Sequence, residues 1–338
     1  IDLKSGNITE VLAAPGKYLE PTFSPDGSQI VFRKGGAGDL LDKKWSLNTG
    51  IYLMPAQGGE PKLISRNGYN AHFAERSARI FAMDYSEQPT LLSIDLATKQ
   101  QRTLYSAKYG TEFKVSPDGQ LVAFADRFKV YITPFAERGT AIDVSGDDEQ
   151  FPVKQLSVRA GENISWTTNS QQLYWSLGPE LYHADLRDVF AVGKPRDFKV
   201  ANGTNISFNT KAYIPNETVA FVGGQIITME GESVIKDGVV IVENNKITAV
   251  GSRADVKIPA NAKQIDIRGK TLMPGLFDAH AHGSQGVNQL IPQQNYVNYA
   301  SLALGVTSIH DPSNDTQEVF SASELQKTGQ IVGPRIFS

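Results

Sequence analysis

A turn signature recurs through the first half of this 338-residue chain, and it confines that half to a repeat of short strands. Phe23-Ser24-Pro25-Asp26-Gly27 leads into Gln29-Ile30-Val31-Phe32, and Val115-Ser116-Pro117-Asp118-Gly119 leads into Leu121-Val122-Ala123-Phe124. A worn copy, Phe73-Ala74-Glu75-Arg76-Ser77, precedes Arg79-Ile80-Phe81. A fourth, Trp166-Thr167-Thr168-Asn169-Ser170, precedes Gln172-Leu173-Tyr174-Trp175. Steps of 50, 42 and 51 residues separate Phe23, Phe73, Val115 and Trp166. Proline presets φ for a turn and glycine accepts positive φ, so each Pro-Asp-Gly reverses the chain between two strands. A further strand pair follows each of the first three copies: Ile51–Met54 with Pro61–Ile64, Leu92–Leu96 with Arg102–Leu104, and Val130–Ile132 with Ala141–Val144. Four strands per repeat at this spacing is the pattern of a β-propeller blade.

About four blades are visible, and Ile1 to Leu12 reads as two strands joined by a turn, the outer strands of an earlier blade. Neither an initiator Met nor a signal sequence opens the chain, and Gly333-Pro334-Arg335-Ile336-Phe337-Ser338 ends it without polar decay; both termini read as cuts. Trp166, Tyr174, Trp175 and the Phe residues are expected to pack blades, and Asp26 and Asp118 to shape turns. His72 and His183 have no partner at ligand spacing and are assigned to structure. Gly35-Gly36-Ala37-Gly38 precedes no Lys-Ser/Thr and is a loop rather than a phosphate cradle. The Ser-Pro-Asp-Gly turns with their outer hairpins resemble the propeller of the TolB family and of prolyl-oligopeptidase-like proteins, over about residues 1–190.

Composition removes several classes of partner. There are 33 Lys and Arg against 36 Asp and Glu, so no basic stripe is available to neutralise phosphates, and nucleic acid is not expected. No run of about 18 apolar residues occurs, so no membrane span is expected. Cysteine is absent, which leaves His, carboxylate or modified lysine as the candidate metal ligands.

From Arg187 to Asn216 the pattern loosens, with Gly193-Lys194-Pro195, Asn202-Gly203 and Pro215-Asn216, and a domain boundary is placed between about 205 and 217. Short strands follow at Val219–Val222, Gln225–Thr228, Gly238–Val242 and Lys246–Val250, with Asn244-Asn245 as a two-residue hairpin turn, and then at Gln264–Ile267. Beyond them stands Met273-Pro274-Gly275-Leu276-Phe277-Asp278-Ala279-His280-Ala281-His282-Gly283. Alternate residues of a strand share a face, so a strand here would project Asp278, His280 and His282 together, with Ala279 and Ala281 opposite. Two imidazoles on one face can reach one cation, at about 2.0 to 2.1 Å for zinc.

This stretch, with Ala303-Leu304-Gly305-Val306-Thr307-Ser308-Ile309-His310-Asp311 and Gly333-Pro334-Arg335, resembles the start of the amidohydrolase superfamily, in its imidazolonepropionase-like and dipeptidase-like branch. The resemblance implies a mainly β chain: TolB-like propeller blades (1–205), then a small β-sandwich (218–270) and the first βα units of a TIM-barrel amidohydrolase domain (271–338). It implies His280 and His282 as ligands to a divalent metal, most often zinc, with one or two ions in the full-length enzyme, and Asp278 as a residue that orients them. The remaining ligands and the general base are not found in this chain, so no catalytic residue is assigned and the fragment is expected to be inactive. His310 and Asp311 are given structural roles. The implied activity is hydrolysis, by metal-activated water, of carbon–nitrogen bonds in a cyclic amide, an amidine or a dipeptide. The implied setting is the bacterial periplasm or exterior. An incomplete barrel exposes apolar strand faces, so association with copies of itself is expected.

Two other classes are considered. One is a non-catalytic TolB-like propeller that binds a protein or peptide. The other, a serine peptidase, ranks last because no Gly-x-Ser-x-Gly occurs in the chain.

Overall fold

The computed structural model of the chain describes residues 1–36, 48–74, 78–148, 151–193, 198–200, 202–287 and 290–338. Glu75-Arg76-Ser77 of the second turn copy, Ala37-Gly38 of the glycine-rich loop and Lys194-Pro195 of the boundary segment lie outside the described residues. Two compact units are present, Ile1–Ser207 and Phe208–Ser338.

The first unit is built of four antiparallel meanders, and in the first, third and fourth a copy of the repeated turn joins the first two strands. β1 (Lys17–Phe23), β2 (Gln29–Gly35), β3 (Gly50–Pro55) and β4 (Lys62–Ser65) pair in order. So do β5 (Tyr69–Phe73), β6 (Arg79–Asp84), β7 (Thr90–Asp95) and β8 (Gln101–Ser106). In the third sheet β9 (Gly110–Val115), β10 (Leu121–Asp126) and β11 (Lys129–Pro134) are sequential. β12 (Ile142–Asp143) leaves for the second sheet, and β13 (Lys154–Gln155) takes the fourth place. The fourth sheet is β14 (Glu162–Trp166), β15 (Gln172–Leu177), β16 (Glu180–Asp185) and β17 (Thr204–Asn205).

The turns repeat in chemistry as well as position. Ser24 and Ser116 hydroxyls donate to Asp26 and Asp118, and the Thr167 hydroxyl donates to Asn169. The left-handed position falls to Gly27 (φ 69°), Gly119 (φ 69°) and, in the fourth copy, Ser170 (φ 59°). The Ser24 hydroxyl, the Ser28 amide and the Ser28 hydroxyl hold the Asp26 carboxyl down to about 2.

Consecutive sheets share buried apolar clusters: Val31 and Ile51 with Ile80 and Leu92, Phe81 and Leu91 with Phe113 and Phe124, and Ala123 and Ile132 with Leu173 and Trp175. Polar latches on the first strands add direction to this packing. The Asn70 amide donates to Glu20 Oε2 at 2.6 Å, the Val115 amide to His72 Nε2 at 3.0 Å, and the Ile164 amide to Glu112 Oε2 at 3.1 Å. His72 therefore carries its proton on Nδ1, facing the Asn70 carbonyl at 3.1 Å. Burial, reinforced by the Lys114 ammonium, pushes this imidazole down to about 3.

Two expectations fail here. Ala141–Val144 does not pair with Val130–Ile132: Ile142 and Asp143 run parallel to Tyr105 and Ser106, while Lys154 and Gln155 pair with Tyr131 and Ile132. Ile142 and Val144 bury against Leu104 and Tyr105, and Asp143 accepts from the Ser106 hydroxyl at 3.0 Å, so packing selects the older sheet. Ile1 to Leu12 forms no strand either. Asp2 Oδ1 accepts from the Lys4 and Ser5 amides, which closes a local turn, and only Val11 and Leu12 pack, against the first sheet.

In the second unit β18 (Thr218–Ile227), β19 (Val234–Glu243) and β20 (Lys246–Ser252) are antiparallel, and β21 (Lys263–Asp266) and β22 (Thr271–Leu272) both run parallel to β18. Asn244 and Asn245 form the β19–β20 turn at φ 49° and 62°. The two strands expected at 219–228 are one strand, irregular at Gly223 and Gly224. The expected sandwich is a single mixed sheet. Ala220, Val222, Val239 and Ile241 bury against Val256, Ile258 and Ala262 of the β20–β21 connection, so an irregular segment occupies the place of a second layer.

The chain then forms β23 (Leu276–Asp278), α1 (Tyr296–Ala303), β24 (Val306–His310), α2 (Thr316–Lys327) and β25 (Arg335–Phe337). The three strands are parallel in the order β23-β24-β25, an open sheet and not a closed barrel. Asn295 caps α1 through the Val297 amide, and Asp315 caps α2 through the amides of Gln317 and Glu318. Ile309 and Ile336 bury against Val319 and Ala322 of α2, with Ala281 at the margin. At Gly275 a Cβ would lie 2.2 Å from Thr307 Oγ1, so only glycine lets β23 approach β24 there. No helix among the described residues is long and apolar enough to cross a membrane.

Candidate functional site

β23 ends sooner than its sequence suggests. The strand stops at Asp278, Ala279 and His280 form a turn, and His282 lies in the segment beyond. The cause is local: Asp278 Oδ1 accepts from the His280 amide at 3.1 Å, an Asx turn that competes with the strand ladder. Pairing with β24 resumes for one bond, Ala281 amide to His310 carbonyl at 2.9 Å. The alternation expected from an unbroken strand is thus replaced by a turn, yet the two rings still come together. The His280 and His282 imidazole centroids are 4.9 Å apart at an interplanar angle of 68°. Both residues are exposed, at the C-terminal end of the first of three parallel strands.

Asp278 shapes the turn through its backbone partner. The residues placed around the His282 ring come instead from the loop after β24. Ser313 Oγ lies 3.1 Å and Asp311 Oδ1 4.0 Å from His282 Nδ1. Asp311 is only 2% exposed and accepts from the Ser313 amide at 3.1 Å and from Asn314 Nδ2 at 3.0 Å. Asn314 Nδ2 also donates to the Gly283 carbonyl at 2.8 Å. The signal for this cluster was present in the sequence as Asp311-Pro312-Ser313-Asn314-Asp315, a polar turn following a strand whose C-terminal end faces the site. His310 contributes its carbonyl to the β23–β24 ladder. His72 is a buried latch in the first unit, and His183 stacks on Tyr174 at 5.1 Å, so neither joins the pair.

Among the described residues no group of three or more His, Cys, Asp or Glu side chains could hold a metal ion. Two adjacent imidazoles would supply two of the three protein ligands that a catalytic zinc takes.

No family model matches the chain. An imidazolonepropionase of Alkaliphilus metalliredigens is 34% identical over 96 residues, which is 23% of this chain and 23% of that protein. An enamidase of Eubacterium barkeri is 35% identical over 89 residues, 25% of this chain and 22% of that protein. This chain spans less than a quarter of the length of either. Among solved structures, TolB from Acinetobacter baumannii superposes with a TM-score of 0.41 at 18% identity, covering 54% of this chain and 44% of that one.

Proposed function

We propose that residues 218–338 open a metal-dependent amidohydrolase domain, in which His280 and His282 are ligands to a divalent ion and Asp278 holds the turn that carries them. The observation behind this reading is the pair of imidazoles 4.9 Å apart at the C-terminal end of the first parallel strand, the end where barrel enzymes keep their sites. The strand–helix–strand–helix–strand order of 276–337 fits the first units of a barrel. In the same reading residues 1–205 are four blades of a TolB-like β-propeller, a reading supported by four sheets that follow in chain order, each sharing a buried cluster with the next.

The chemistry a bound ion would supply is acidification of water to near neutrality and polarisation of the carbon under attack. Zinc suits imidazole donors, and one or two ions would serve, with further ligands and the general base coming from outside these 338 residues. This chain's own part is to present two imidazole nitrogens and to fix the backbone between them. The substrate class is a cyclic amide, an amidine or a dipeptide, and the setting is periplasmic or secreted. Leu276, Phe277 and Phe337 are 51%, 56% and 49% exposed, and the same reading has them covered by further barrel strands or by a second copy.

The test is hydrolysis of a cyclic amide or dipeptide by the chain extended to the length of its relatives, with zinc supplied. His280→Ala and His282→Ala should each lower the rate by at least about 100-fold. A rate unchanged in either variant would remove the metal assignment.

A further inference from the structure

The loop after β24 holds His282 more closely than a merely structural loop needs to. The backbone is pinned on both sides of this one residue: the Ala281 amide donates to the His310 carbonyl at 2.9 Å, and the Gly283 carbonyl accepts from Asn314 Nδ2 at 2.8 Å. The ring itself meets the same loop, with Ser313 Oγ at 3.1 Å and Asp311 Oδ1 at 4.0 Å, both measured to Nδ1. Asp311 is buried and fixed by two donors, the Ser313 amide and Asn314 Nδ2, so its carboxylate cannot turn away from the ring. Among the described residues, His280 bonds through its backbone amide, to Asp278 Oδ1.

These contacts decide which ring nitrogen carries the proton. A neutral imidazole has one N–H and one lone pair, and the hydrogen bond at one nitrogen selects the other for coordination. A carboxylate 4.0 Å from Nδ1 favours a proton there, and Ser313 Oγ at 3.1 Å can accept it. We propose that Asp311 and Ser313 are positioning residues that hold His282 as the Nδ1–H tautomer, so that the Nε2 lone pair is the one offered to a metal. The tautomer follows from this chain alone; its use rests on the assignment of His282 as a ligand. The step involves no covalent change. A proton resides on Nδ1, Ser313 Oγ accepts its hydrogen bond, and Nε2 stays unprotonated.

The test is long-range 1H–15N correlation of the histidine rings in the 338-residue chain at a pH where imidazole is neutral, followed by zinc titration. Wild-type His282 should show the Nδ1–H pattern. Asp311→Asn should move it toward the Nε2–H form that free imidazole prefers. Ser313→Ala, an exposed site with little bearing on folding, should do so in part, which keeps the test open if the buried variant misfolds. Zinc should then perturb His282 Nε2 in the wild type, with affinity at least about 10-fold weaker in Asp311→Asn. A wild-type His282 in the Nε2–H form, or a tautomer unmoved by both substitutions, overturns the proposal. A correct tautomer with no zinc response at His282 would leave the positioning in place and remove the metal assignment.

Discussion

Phe113 and Phe124 are wholly buried between the second and third sheets of the first unit, whereas Phe277 and Phe337, also strand aromatics and 6.2 Å apart, keep about half their surface in water. The difference lies in where partners are found along the chain. A meander completes its sheet within one repeat and its core with the next, so Leu91 finds Phe113 soon after it in sequence. A parallel strand needs a helical crossover to reach its neighbour, and a barrel needs eight such units before its faces are covered. The first unit therefore carries its own covering, while the β23–β25 sheet buries Ile309 and Ile336 under α2 and leaves Leu276, Phe277 and Phe337 open.

That contrast can be probed by substitutions of falling severity. Trp175 is 1% exposed, packs on Leu173 and Ala184 and stacks on Tyr182 at 6.0 Å. Trp175→Ala should cost about 3–5 kcal/mol in denaturant unfolding of the first unit. A loss below about 1 kcal/mol would mean that the fourth sheet is not part of a shared core.

His72→Leu should cost about 3 kcal/mol, since it strands the buried Val115 amide and the Asn70 carbonyl that the ring now serves. This latch also titrates. The folded ring, pushed down to about 3 by burial and by Lys114, refuses a proton that the unfolded chain accepts near 6.5. Its contribution is whole above pH 6.5 and is lost as pH falls toward 3, at up to about 1.4 kcal/mol per pH unit. Unfolding free energies measured across that window should slope in the wild type and flatten in His72→Leu; equal slopes would place the acid sensitivity elsewhere.

In the second unit Gly275→Ala should cost about 2 kcal/mol, because Thr307 Oγ1, Cγ2 and Cβ all lie within 2.8 Å of the new methyl and a β-branched side chain has little room to yield. Hydrogen exchange at the β23 and β24 amides would report it, and unchanged protection would show that the two strands pair more loosely than described. Smallest of all, Phe277→Ser should change stability by under about 0.5 kcal/mol but lower self-association in sedimentation, since the ring is mostly in water. An unaltered sedimentation profile would exempt this face from contact between copies.

The legible parts of the sequence were those fixed by local chemistry. Pro-Asp-Gly marks a turn wherever it occurs, and Asn244-Asn245 makes a hairpin from its own backbone preferences. Pairing decided by distant packing was not legible: nothing in Ala141–Val144 announces that Ile142 buries against Tyr105 and not alongside Val130. The single sheet at 218–272 was obscured for the same reason, since Val256 and Ile258 cover it without forming strands. At the candidate site His-x-His showed which residues meet, but a period of two implied an unbroken strand. The Asx bond that Asp278 accepts from the His280 amide competes with the ladder and turned the chain early. The polar turn Asp311-Pro312-Ser313-Asn314-Asp315 was visible, but its pairing with His282 was not, because the two lie about 30 residues apart.

The pairing of His280 with His282 is tested most directly by titrating zinc into the 338-residue chain while following the ring signals of all five histidines. His280 and His282 should shift together, with weak affinity befitting two ligands, and the response should vanish in the His280→Ala/His282→Ala double variant. Shifts centred on His72, His183 or His310, or one tightly held zinc per chain that survives the double substitution, would contradict the assignment.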